Sequence, residues 1–83
     1  MEQAARTQAQ LGAVLRRARK AKRLTQTQLG ELINKRQATL SNLESADGGA
    51  TLETLFSVLA ALDLELAVRP RRKSTASSLG DIF

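Results

Sequence analysis

The sequence predicts a mainly α domain, a bundle of four short helices followed by one strand. Three observations carry that expectation. Apolar residues recur at three- and four-residue spacing through four separate segments. Capping residues and turn-formers punctuate those segments. The only stretch that alternates strictly, Leu64-Glu65-Leu66-Ala67-Val68-Arg69, is closed by Pro70.

The first helix is expected over 8–22, with Leu11, Val14, Leu15 and Ala18 as its inward stripe. Arg16, Arg17, Arg19, Lys20, Lys22 and Arg23 crowd its end, mostly off that stripe. They suit either a solvated face or a surface that meets a polyanion. The narrow stripe without aromatics argues against a helix lying on a membrane.

The second helix carries complete start signals. Thr25 is placed to cap it, and Gln28 is placed to close a capping box. Leu24 and Leu29 flank the cap as a hydrophobic staple. Leu29, Leu32 and Ile33 are expected to face the core. Gly30 is costly inside a helix, by about 0.5–1 kcal/mol relative to Ala, so a close approach of the next helix is expected there. Asn34 ends the helix because it tolerates the left-handed backbone.

The third helix starts near Arg36 or Gln37 and runs to about Ser45, with Leu40 and Leu43 inward. Ala38, Thr39, Ser41 and Asn42 lie towards its outer side. Small polar groups are an unusual exterior for a surface helix and suit one that lies close against another surface. Ala46-Asp47-Gly48-Gly49-Ala50 reads as a loop. Thr51 caps a fourth helix, on which Leu52, Leu55, Phe56, Leu59 and Leu62 repeat at helical spacing.

The alternating stretch puts Leu64, Leu66 and Val68 on one side. A lone strand cannot satisfy its backbone groups, so antiparallel pairing with the same strand of a second copy is expected, making a homodimer. An extended tail packed on its own domain is the other reading. Residues 71–81 are basic and Ser-rich, yet the chain finishes Leu79-Gly80-Asp81-Ile82-Phe83. That end suits either a docking peptide or a frayed terminus. The expected organisation is a frayed N-terminus over 1–7, a DNA-binding and dimerisation domain over 8–69, and a flexible tail over 70–83.

Composition limits the chemistry. An 83-residue chain supports one small domain. Cys and His are both absent, which removes disulfides, thiolate metal sites and the commonest general base. No metal, cofactor or catalytic residue is expected, and enzyme activity is disfavoured. Thirteen Lys and Arg against eight Asp and Glu give a net charge of +5, which favours a polyanionic partner. No apolar run is long enough to span a membrane and the start lacks a signal-peptide core, so a cytoplasmic protein is expected, nucleoid-associated when bound to DNA.

From Leu24-Thr25-Gln26 to Gln37-Ala38-Thr39-Leu40-Ser41-Asn42-Leu43-Glu44 the chain resembles the lambda-repressor-like, or Xre, helix-turn-helix family. The resemblance spans roughly residues 11–62. It departs at Asn34, where the family usually has Gly, and at Gly30, where it often has Ala. A narrower resemblance is to the HipB-type antitoxins. It rests on Lys35 to Asn42, Thr51 to Phe56, Leu62 to Leu66, and a tail ending in an aromatic, Phe83.

The resemblance implies a transcriptional repressor whose third helix enters the major groove of operator DNA while the second crosses the backbone. Arg36, Gln37, Ala38 and Ser41 become the base-contacting residues. Arg suits guanine, Gln suits adenine, and Ala suits a thymine methyl. Gln26, Thr27, Lys35, Thr39, Asn42 and Arg19 become phosphate contacts. Arg19 and Glu44 correspond to an ion pair between the first and third helices, expected to orient a phosphate-facing guanidinium. A solvated Glu44 is the alternative. Leu64, Leu66 and Val68 carry dimerisation. The resemblance further implies an antitoxin that neutralises a HipA-like serine/threonine kinase toxin and autoregulates its operon, with Ile82 and Phe83 as docking residues. A free-standing regulator without a toxin partner is the other possibility.

Overall fold

The computed structural model describes residues 2–71. Four helices follow in order: α1 (Gln8–Ala21), α2 (Gln26–Ile33), α3 (Gln37–Ser45) and α4 (Leu52–Ala61). The expected mainly α, four-helix bundle is therefore the fold. α3 packs against both α1 and α2, and α4 packs against α2.

Local chemistry sets the boundaries. Thr7 accepts the Gln10 amide and caps α1, so ordered structure begins inside the segment expected to fray. Thr25 accepts the Gln28 amide while the Gln28 side chain accepts the Thr25 amide, which completes the capping box. Asn34 takes the left-handed conformation at φ 60° and ψ 47°. Thr51 caps α4, and Glu53 lies in its first turn, where the helix dipole favours a carboxylate.

Every helix contributes a leucine to the core. Leu15, Leu29, Leu40 and Leu59 are buried together with Val58 and Leu62. Leu11, Ala18, Leu24, Ile33, Leu43, Leu55, Ala61 and Leu64 pack around them. Two glycines allow the close crossings. A Cβ on Gly12 would strike the Glu44 carbonyl of α3. A Cβ on Gly30 would lie 2.5 Å from the Lys35 carbonyl oxygen and 3.4 Å from Leu40 Cδ2. The tightest neighbour of Gly30 is thus the turn itself, with α3 next.

Three side chains depart from the expected core. Leu32 is 64% exposed, because α2 meets its neighbours through Leu29, Gly30 and Ile33. Leu52 and Phe56 are 70% and 50% exposed, because α4 buries Thr54, Val58 and Leu59 instead.

Residues 64–69 form no strand in the single chain. A ladder needs a partner strand to satisfy its amides and carbonyls, and none of the described residues supplies one. Leu64 packs onto the core, whereas Leu66 and Val68 are exposed, Val68 almost fully. Of these three side chains only Leu64 is packed against the core. Arg69 Nη1 bonds Glu2 Oε1 at 3.0 Å, so the segment runs back towards the N-terminus.

Candidate nucleic-acid interface

The turn between α2 and α3 fixes what is offered to the outside. Asn34 reverses the chain, Lys35 bonds back to the Gly30 carbonyl at 2.8 Å, and Arg36 occupies the N-cap of α3. The Arg36 side chain makes no cap bond, so its guanidinium is not used to close the helix. Lys35, Arg36, Gln37 and Ala38 stand exposed in sequence, followed by exposed Asn42 and half-buried Thr39 and Ser41. The four expected base readers thus share the leading turns of one helix. Thr39 and Ser41 lie on its flanks, and the Ser41 carbonyl accepts from Ser45 Oγ at 2.8 Å.

Beside this helix is the open end of α2. Its first amides, on Gln26 and Thr27, precede the capped Gln28 amide and point out of the helix end. Lys20, Arg23, Thr25, Gln26, Thr27 and Gln37 line a shallow depression around that end, with Arg19 at its side. Exposed amides and two free-standing cations make this a surface suited to a phosphate. A second depression, at the turn, is lined by Gly30, Glu31, Asn34, Lys35, Arg36 and Thr39.

A buried polar relay lies beneath. Arg19 Nε and Nη2 donate to the two Glu44 oxygens at 2.7 and 3.0 Å, and Arg19 Nη1 donates to the Leu24 carbonyl at 2.7 Å. The two side chains are only 9% and 5% exposed. Glu44 is therefore paired and buried, which removes the solvated alternative. The Arg19 guanidinium is held by Glu44 and Leu24, as the expected ion pair requires, while its side chain also lines the depression beside the α2 end. The Glu44 carboxylate and the Leu24 carbonyl draw the guanidinium inward, because a buried charge has to be matched.

The relay continues to the surface. Gln26 Nε2 donates to Glu44 Oε1 at 3.0 Å, and Gln37 Nε2 donates to Gln26 Oε1 at 2.6 Å. Gln26, expected as a phosphate contact, therefore also joins the buried pair to an expected base reader. Sequence reasoning did not find this link, nor the placing of Lys20 and Arg23 beside the α2 end. The eleven-residue separation of Gln26 and Gln37 spans the turn, so no helical spacing shows it. Gly12 was overlooked too, although a glycine inside α1 carries a cost that calls for a close neighbour.

Of Leu64, Leu66 and Val68, expected at a dimer contact, Leu64 packs against the core and Leu66 and Val68 are exposed. Ile82 and Phe83 lie outside the described residues. Among the described residues no cluster of acidic side chains could hold a metal ion, and no helix is long and apolar enough to cross a membrane.

The helix-turn-helix family profile matches residues 15–68. Antitoxin HipB of Escherichia coli (strain K12) is 30% identical over 69 residues, covering 83% of this chain and 78% of that protein. Two solved structures resemble the fold over 86% of this chain and 100% of theirs, each at 30% identity. One is a HipB–O4 20mer complex, with a TM-score of 0.78. The other is a HipA–HipB–O2–O3 complex, with a TM-score of 0.77. The chain belongs to the HipB-type antitoxins of the Xre-like helix-turn-helix family.

Proposed function

We propose that this chain is a homodimeric, sequence-specific operator-binding repressor. In the same reading it is the antitoxin of a type II toxin–antitoxin pair, neutralising a HipA-like kinase in the cytoplasm and autoregulating its operon. The observation that carries the proposal is the exposed leading face of α3 beside the cationic end of α2, in a chain similar over 86% of its length to HipB in a HipA–HipB–O2–O3 complex.

Arg36, Gln37, Ala38 and Ser41 read base edges. Gln26, Thr27, Lys35, Thr39 and Asn42 position the backbone, with the Lys20 and Arg23 cations adding charge. Leu64, Leu66 and Val68 form the dimer contact. The exposure of Leu66 and Val68, together with that of Leu52 and Phe56, leaves apolar surface for a second copy to cover. Two recognition helices then lie about 34–36 Å apart, on half-sites one helical turn from each other. Residues 70–83 serve as the tail, with Ile82 and Phe83 on the toxin.

The decisive experiment co-expresses the chain with a HipA-like kinase from the same genome. Rescue of growth and co-purification of a ternary complex with operator duplex are expected. A chain that binds duplex but neither captures the kinase nor relieves its toxicity is a regulator alone.

A further inference from the structure

The relay beneath α3 has a direction. A carboxylate only accepts, so Glu44 draws the amino end of the Gln26 amide towards itself. That leaves Gln26 Oε1 facing outward, and it can only accept. Gln37 must then turn its own amino end to Gln26, as the 2.6 Å contact records. Arg19 holds Glu44 at both oxygens, so the carboxylate is a fixed origin for this polarity.

From this geometry we infer that Glu44 is a specificity-determining positioning residue: acting through Gln26, it fixes which way the Gln37 amide faces and hence which base α3 reads. Gln37 keeps its Oε1 and one N–H uncommitted. An acceptor beside a donor matches the N6 and N7 edge of adenine. A Gln37 amide turned the other way would set its carbonyl oxygen against Gln26 Oε1, two acceptors with no proton between them. Glu44 touches no base itself. It removes that second orientation and so prepays the ordering of a long side chain.

The inference rests on the proposed reading of duplex DNA by α3, and the test separates the two. The full chain is equilibrated with a random-sequence duplex library, and base preferences are read at each selected position. The position read by Gln37 is the one whose preference Gln37→Ala erases, and adenine is expected there. Glu44→Gln lets Gln26 take both amide orientations. It should lower discrimination at that one position about five-fold or more, the low end of what a bidentate contact supplies. Positions whose preference depends on Arg36 should keep theirs. In a Gln26→Leu background, Glu44→Gln should have no further effect on discrimination.

Unchanged discrimination at the Gln37 position, a uniform fall at all positions, or a Glu44→Gln effect that persists without Gln26 would each overturn the inference while leaving operator binding intact. If Glu44→Gln does not fold by circular dichroism, Gln26→Leu alone decides the matter, and discrimination that survives it overturns the relay. No selection by the unmodified chain would remove the operator reading and the inference together.

Discussion

Gly12 of α1 lies directly beneath the Glu44 carbonyl of α3, closer than any Cβ could approach. This contact sets the α1–α3 crossing that brings Arg19 and Glu44 together. Gly12→Ala has no flexible side chain to push aside, since the obstacle is backbone. It should destabilise the fold by about 1–3 kcal/mol, the usual cost of overpacking. Gly49→Ala is the contrasting change, because nothing lies within 4 Å of that position. It should be neutral or stabilise by up to about 1 kcal/mol. Urea denaturation of the two variants checks the difference, and equal midpoints would refute the packing account.

The Arg19–Glu44 pair predicts a non-additive pattern. Removing one partner strands a buried charge, so Arg19→Met or Glu44→Leu alone should cost roughly 3–5 kcal/mol. Replacing both at once removes both charges and should recover most of that loss. A double-mutant cycle by chemical denaturation measures the coupling. Losses that simply add would mean that the pair is not mutually dependent.

Much of this architecture was legible in the sequence, for physical reasons that differ by element. The start of α2 was written out in Leu24, Thr25, Gln28 and Leu29, because capping is local chemistry. Asn34 was readable for the same reason. The inward side of α4 was not. Leu52 and Phe56 fit the helical period as well as Val58 does, and only the position of α2 decides which stripe is buried. Leu32 was misplaced on the same ground. Residues 64–69 alternate as a strand would but form none in the described chain, because a ladder needs a second strand that an alternating pattern does not itself supply. At the site, residue types pointed to α3, while the Glu44–Gln26–Gln37 relay required coordinates.

The cap of α2 offers a smaller, cleaner test. Thr25→Ala removes the acceptor of the Gln28 amide and half of the capping box. It should cost on the order of 1 kcal/mol. Because the same helix end faces the expected phosphate, affinity for duplex should fall as well. Calorimetric unfolding and a duplex titration on one sample report both. An unchanged melting temperature would mean that the cap bond is not formed in solution.

Asp63 gives a pH-dependent signature. Its carboxylate accepts from Lys22 Nζ at 2.7 Å, and that hydrogen bond and charge hold its pKa below the ordinary 3.8. A lowered folded pKa means that the contribution to stability is present above pH 3.8 and is lost as pH falls through the depressed value. Asp63 is exposed and has φ 58°, a conformation that Asn also tolerates, so Asp63→Asn isolates the charge. The stability gap between the two chains should be small, shrink in acid below pH 3.8, and shrink with added salt. A gap that is constant across pH would show that the pair does not form.

The central claim is that paired α3 helices read operator sequence while neighbouring cations hold the phosphates. Affinity of the full chain for a selected duplex and for a scrambled one, each titrated across salt, tests it most directly. The account predicts that both affinities fall linearly on a log–log plot, with a slope near −0.9 for each phosphate neutralised. It also predicts that the selected duplex binds about 1,000-fold or more tighter. Equal affinity for the two duplexes, with no dependence on salt, would contradict it.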